Sequence, residues 1–338
     1  MVRVLIAGLI AMVISIVIGP KFIEFLRRNG LGQPIRAEGP AGHVVKQGTP
    51  VMGGLLILLC ALLPFLVLSR YTLPALTVLF TTVSCAAIGF LDDYIKLRHR
   101  RSLGLSGRWK MLLLVAITVV VGIAAHQQPR LGTSIYIPIA DVELPLGFLF
   151  YPFLFLVIAG AANGANLTDG VDGLAAGTAI IALLTFLSMS VIAYIRSGPP
   201  GSRSEFQLDL AILAAAIMGG AIGFLWYNAF PAELFMGDTG SMAFGGALAG
   251  FAIVTGTEAL LILIAGIYVV EALSVMTQVV SFKYFGKRVF LMTPIHHHFE
   301  MKAWSETKIM VRFWIVAAIL SACGFVLYYR YYLQFSLG

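Results

Sequence analysis

Residues 74–96 read PALTVLFTTVSCAAIGFLDDYIK, eighteen positions without a charge that run straight into Asp92, Asp93 and, three residues on, Lys96. An uncharged run of that length is what one α-helix needs to cross a hydrocarbon layer about 30 Å thick at roughly 1.5 Å per residue. The paired acids then mark the point where the chain leaves the lipid. Comparable runs recur near 3–26, 50–69, 109–126, 147–165, 174–195, 208–227, 241–256, 258–281 and 312–333. None alternates in ten-residue strands as a barrel wall does. With 59% hydrophobic and only 12% charged residues, the chain lies outside the range of soluble domains. The expected fold is an all-α membrane protein, a polytopic bundle of about ten transmembrane helices forming a single domain over 1–338. The narrowest division falls at Thr255–Glu258, between the eighth and ninth runs. The first run reads as a retained helix, since Gly19-Pro20-Lys21 offers no small-residue cleavage pattern. Cys60, Cys85 and Cys323 stand singly inside apolar runs, which excludes a disulfide framework and a zinc knuckle.

An even number of spans puts both termini on one side, and charge says which. Seventeen of the 23 lysines and arginines fall on or beside the loops after runs one, three, five, seven and nine. By the positive-inside bias these loops are cytoplasmic and both termini periplasmic. The net charge of +7 is thus chiefly a topology signal, and it does not point to nucleic acid. Every polar cluster with chemical potential lies on the same odd-numbered loops, so a cytoplasmic active site is expected. The opposite side is bland by comparison, with a short strand or hairpin expected at Thr133–Ile137.

Neighbouring helical residues point about 100° apart, so Asp92 and Asp93 are expected to have different roles. Gly48-Thr49-Pro50-Val51-Met52-Gly53-Gly54 reads as a helix start, with Thr49 as cap, Pro50 at the first position and free amides able to take a phosphate. Two further loops, 163–173 and 235–241, contain no Lys or Arg yet are rich in Asp, Asn, Thr and Gly. Oxygen ligands at sharp glycine turns suit Mg²⁺, which takes one or two carboxylates and fills its other positions with phosphates and water. Capping at tight turns accounts for some of these residues as well. His296, His297 and His298 follow a proline inside a basic segment. Consecutive imidazoles diverge, which disfavours zinc and favours contacts to phosphate or base. Glu271, inside the ninth run, is either a functional intramembrane acid or a structural hydrogen-bond partner.

GTPVMGG (48–54), FLDDYIK (90–96), NLTDGVDG (166–173), FMGDTGS (235–241) and PIHHHFE (294–300), in that order along almost the whole chain, resemble the phospho-N-acetylmuramoyl-pentapeptide transferases. These belong to the wider superfamily of polyprenyl-phosphate N-acetylhexosamine-1-phosphate transferases, and the TPxMGG and PxHHHxE segments point to the muramoyl branch. The resemblance implies transfer of phospho-MurNAc-pentapeptide from UDP-MurNAc-pentapeptide to undecaprenyl phosphate in the bacterial inner membrane, giving lipid I and UMP with Mg²⁺. It implies Asp92, Asp93 and Asp238 as catalytic acids, with Asp238 the metal ligand. Asn163, Asn166, Asp169, Asp172 and Asn228 would shape the nucleotide pocket. His296, His297 and His298 would contact the diphosphate or its sugars, and Lys46, Thr49, Lys96 and Lys110 would serve as phosphate partners. A homodimer is implied too. Direct attack by the lipid phosphate and a covalent carboxylate intermediate are both open, with direct attack favoured because a phosphate monoester is largely ionised at neutral pH. The sister N-acetylglucosamine branch and a secondary transporter are the rival readings.

Single cysteines at Gly104 and Ser202 are expected to react with an impermeant thiol reagent from opposite sides of the membrane, Gly104 from the cytoplasm. Labelling of both from one side would overturn the assigned topology.

Overall fold

In lipid an unpartnered backbone amide costs several kcal/mol, and helix satisfies these groups within one segment. The computed structural model describes residues 1–32, 48–99, 103–127 and 133–332, and each apolar run is helical. The helices are α1 (Val2–Arg28), α2 (Gly53–Leu68), α3 (Leu73–Arg98), α4 (Gly107–His126), α5 (Phe150–Thr168), α6 (Leu174–Arg196), α7 (Glu205–Asn228), α8 (Gly237–Thr255), α9 (Glu258–Ile264), α10 (Gly266–Phe285), α11 (Ile295–Met301) and α12 (Glu306–Leu327). The expected hairpin is also present. β1 (Ser134–Ile137) pairs antiparallel with β2 (Val142–Pro145), Ser134 opposite Pro145 and Ile137 opposite Val142.

Among the described residues seven helices, α1, α3, α4, α5, α6, α7 and α12, are long and apolar enough to cross a membrane, and α9 with α10 would make an eighth. The helical, multi-span class therefore stands. Of the other expected spans, α2 has only 16 residues. The apolar length of α8 is cut by Asp238, Thr239 and five glycines. The ninth run is not a straight rod, because α10 turns away from α9 by 85° at Ala265. No proline causes this bend. Ser321 of α12 donates to the Ile264 carbonyl at 3.0 Å, satisfying a group that the break releases.

Helix α8 is buried at every residue from Thr239 to Val254 and packs against α2, α3, α5, α6 and α9. Helices in lipid associate through close van der Waals contact, which small residues permit. A Cβ added at Gly245 would lie 2.3 Å from the Ala161 carbonyl oxygen of α5, so only glycine admits this approach. Around this centre α1 and α2 lie on α7, α10 lies on α5, and α12 lies on α6 and α9.

The turn between α2 and α3 is held from the side. Asp209 of α7 is fully buried; its Oδ1 accepts from the Arg70 amide at 2.9 Å, and its Oδ2 accepts from the Thr72 amide and hydroxyl, each at 3.0 Å. Asp209→Ala leaves those donors unsatisfied, at an expected cost of about 2–3 kcal/mol. A lower melting temperature in detergent should report it, and an unchanged one would refute the role assigned to this carboxylate.

Candidate active site

Asp92 and Asp93 lie on the last turns of α3, and the helical step sends them to different partners. Asp92 is 2% exposed; its Oδ1 accepts from the Leu105 amide at 2.7 Å and lies 3.0 Å from Lys110 Nζ, while its Oδ2 lies 2.6 Å from Lys96 Nζ. Both ammonium groups continue to Asp238 Oδ2, at 3.1 Å from Lys96 and 3.0 Å from Lys110. Asp93 instead caps α8. It accepts from the Asp238 amide (3.1 Å), the Thr239 amide (2.9 Å) and the Thr239 hydroxyl (2.7 Å). A carboxylate is stabilised at a helix N-terminus, where free N–H groups gather. One turn earlier, a Cβ at Gly89 would lie 2.1 Å from the Asp238 carbonyl oxygen. Glycine there is what lets the start of α8 reach α3.

The three acids offer ligand atoms within 4.8 Å of one another, a group that could hold a metal ion. Three carboxylates facing two lysines leave one negative charge uncompensated, and their oxygens are hard ligands of the kind Mg²⁺ takes. The Asp238 side chain is 16% exposed against 2% for Asp92, so of these two acids Asp238 is the more accessible.

The two base-free loops are knitted into this centre. Asn166 donates to Ser241 Oγ at 3.0 Å, joining α5 to α8, whereas Asn163 donates to its own helix at the Ala159 carbonyl. Asp169 is half-buried, and its side chain has no hydrogen bond among the described residues. Burial, then the charges of Asp238, Asp93 and Asp172, push its carboxyl well above the ordinary range, with Lys96 acting against them. The protonated form can donate a hydrogen bond. Asp172 and Asn228 are buried, and each bonds to backbone of the facing loop. Asp172 accepts from the Ala232 amide at 3.0 Å; Asn228 accepts from the Gly173 amide at 3.0 Å and donates to the Leu234 carbonyl at 2.9 Å. They staple one loop to the other.

The GTPVMGG segment departs from expectation. The helix begins at Gly53, with Met52 in the left-handed region, so Thr49 and Pro50 precede it and Thr49 makes no cap. The cause is pairing with the α7–α8 loop. Phe235 N donates to the Pro50 carbonyl at 2.8 Å, and the Gly53 and Gly54 amides donate to the carbonyls of Phe235 and Met236 at 2.9 and 3.0 Å. Amides expected to be free for a phosphate are thus occupied. Thr49 is half-buried, and Lys46 lies outside the described residues.

The three histidines diverge along α11. His296 is fully buried, with Nδ1 3.0 Å from Glu271 Oε1. His297 pairs with Glu300, and His298 Nδ1 accepts from the Leu291 amide at 3.1 Å. Both are half-buried.

The family model for glycosyl transferase family 4 matches residues 75–256, from the first turn of α3 to the end of α8. Proteins named phospho-N-acetylmuramoyl-pentapeptide-transferase align along nearly their whole length. The one from Desulfitobacterium hafniense is 41% identical over 96% of this chain and 98% of its own. That from Rubrobacter xylanophilus is 44% identical over 97% and 98%, and that from Frankia alni 43% identical over 99% of each. The chain belongs to the phospho-N-acetylmuramoyl-pentapeptide-transferase family.

Of the residues the family resemblance singled out, the fold gathers Asp92, Asp93, Lys96, Lys110 and Asp238 into one network, with Asn166 joined to it through Ser241. Three contributors escaped the sequence reading. Thr239 sits inside a quoted motif, and its hydroxyl next to Asp238 was a usable signal for a cap. The Leu105 amide gave none, since a backbone donor has no residue signature, and neither did Gly104, where an added Cβ would lie 2.4 Å from Asp92 Oδ1. The family assignment makes the α3–α8 junction the sensitive point. Gly89→Ala should lower turnover by about 10²-fold through displacement of Asp238. Gly160→Ala, where an added Cβ meets no atom within 4 Å, should stay near wild type. Equal activities of the two variants would refute this account of the junction.

Proposed function

We propose that this protein is a Mg²⁺-dependent transferase that moves phospho-MurNAc-pentapeptide from UDP-MurNAc-pentapeptide to undecaprenyl phosphate, forming lipid I and releasing UMP. It works on the cytoplasmic face of the bacterial inner membrane as a homodimer of ten-span subunits with periplasmic termini. The observation that carries this reading is the convergence of Asp92, Asp93 and Asp238 with Lys96 and Lys110 at the end of α3 and the start of α8, in a chain over 40% identical to transferases of that name.

The chemistry is an in-line exchange at phosphorus. An oxygen of the lipid phosphate bonds to the β-phosphorus of the UDP-sugar, the bond to the bridging oxygen breaks, and its electron pair leaves with UMP. The acceptor is already anionic, so alignment and charge shielding matter more than a strong base. Enclosure of Asp92 by two ammonium groups and the Leu105 amide favours direct attack over a covalent carboxylate intermediate, since its oxygens are engaged and 2% exposed. Asp92 in this reading holds Lys96 and Lys110 where their charge meets the transferring phosphoryl group. Asp93 fixes the first turn of α8, and with it the direction of Asp238. Asp238 would hold a magnesium ion, whose charge would offset that of the diphosphate. Asn163, Asn166 and Asp169 line the nucleotide side; Asp172 and Asn228 hold that side in shape. His297 and His298 lie on the segment that reads the larger, acidic muramoyl donor.

A substrate panel with purified protein tests the whole. UMP release is expected with UDP-MurNAc-pentapeptide plus undecaprenyl phosphate and Mg²⁺, and on the order of 10⁴-fold less with UDP-GlcNAc, since a site built for polar contacts rejects an analogue lacking them. Asp238→Asn should remove most turnover while leaving the protein folded. Comparable use of UDP-GlcNAc would move the protein to the sister branch, full turnover in EDTA would refute the metal, and transport without a new lipid product would refute the enzyme.

A further inference from the structure

Glu271 stands in the second turn of α10, fully buried, where an acid is costly unless it has a partner. Its partner is His296, itself fully buried, and the contact uses one atom from each side chain. Glu271 Oε2 and His296 Nε2 have no hydrogen-bond partner among the described residues. What Nε2 does meet is Gly170, in the turn between α5 and α6. A Cβ built on Gly170 would lie 2.3 Å from His296 Nε2 and 2.9 Å from Cε1. The ring is therefore a wedge, set against the backbone between Asp169 and Asp172.

The same face of α10 touches both flanks of that turn. One turn before Glu271, the Tyr268 carbonyl oxygen would lie 2.9 Å from a Cβ at Gly164 of α5, and the Tyr268 hydroxyl donates to the Ala175 carbonyl of α6 at 3.1 Å. The end of α5, the turn and the start of α6 are thus all referenced to α10. Tyr268 holds the two helices, and Glu271 holds the turn through the imidazole. A carboxylate bonded to one ring nitrogen of a histidine fixes both the orientation and the tautomer of the ring.

We propose that Glu271 is a positioning residue, which by fixing the His296 ring against Gly170 sets the 169–172 turn in the form that receives the nucleotide. Neither side chain touches the substrate. The proposal rests on the reading that this turn shapes the nucleotide pocket, and its test separates the two.

Wild type, Glu271→Gln, Glu271→Ala, Gly170→Ala and the Glu271→Ala/Gly170→Ala double variant would be purified in detergent. Backbone hydrogen exchange over 164–175 would be measured without ligand, and affinity for UMP by calorimetry. Glu271→Ala and Gly170→Ala should each speed exchange across the turn and weaken UMP binding by about tenfold. The double variant should do little more than the worse single, because both remove one shared contact. Glu271→Gln, which keeps an acceptor for Nδ1–H, should stay within about threefold of wild type. Asp209→Ala serves as a control that lowers melting temperature without altering exchange at 164–175, as loss of stability alone would. Unchanged exchange in both Glu271→Ala and Gly170→Ala, or effects that multiply in the double variant, would overturn the positioning role. Should Glu271→Ala fail to fold, Gly170→Ala decides by the same exchange measurement. Faster exchange in a protein whose wild type binds no UMP would keep the coupling and discard the nucleotide reading.

Discussion

The carboxylate of Asp93, shared among two amides and one hydroxyl at the start of α8, is the interaction on which the site's geometry depends. A helix that starts inside a protein must find acceptors for its first amides. In α8 the acceptor comes from a neighbouring helix, so satisfying the backbone also fixes how α3 and α8 meet. Asp238 is the second residue of α8 and inherits its direction from that cap. Lys96 and Lys110 then reach Asp92 and Asp238 together, which requires the ends of α3, α4 and α8 to coincide.

Lysines that carry the charge bias between alternate loops are among the groups that build the centre. Lys96 and Lys110 count toward the positive loops, yet each lies within 3.1 Å of carboxylates on two helices. Charges in such a partly buried place interact more strongly than the same charges in water, and salt screens them less. Closely spaced acids and bases therefore stiffen this site.

Much of this was legible in the residues because hydrophobic length and short polar motifs are local signals. The runs that became α1, α3, α4, α5, α6, α7 and α12 each carry enough apolar residues to declare a helix, and Asp92, Asp93 and Asp238 stand out as acids at apolar boundaries. Features set by a distant partner were not legible. The bend at Ala265 has its visible support in Ser321, and the start of α2 moves to Gly53 because Phe235 and Met236 take its amides. His296 looked like its neighbours in the triplet, and only the meeting of α10, α11 and the α5–α6 turn makes it an interior residue. Asp172 and Asn228 look like binding groups in any loop. Their use as staples depends on which backbone lies opposite.

Pinning at both ends has a mechanical meaning for α3. With 26 residues it is about 39 Å long, more than the roughly 30 Å of a hydrocarbon core. A free helix of that length would change its tilt with the thickness of its surroundings. Here the first turn is tethered to α7 through Asp209 and Thr72, and the last turns are tethered to α8 through Asp93. Its inclination to α7 and α8 is consequently set by the protein, so the acid cluster at its end moves with the bundle rather than with the tilt of one helix.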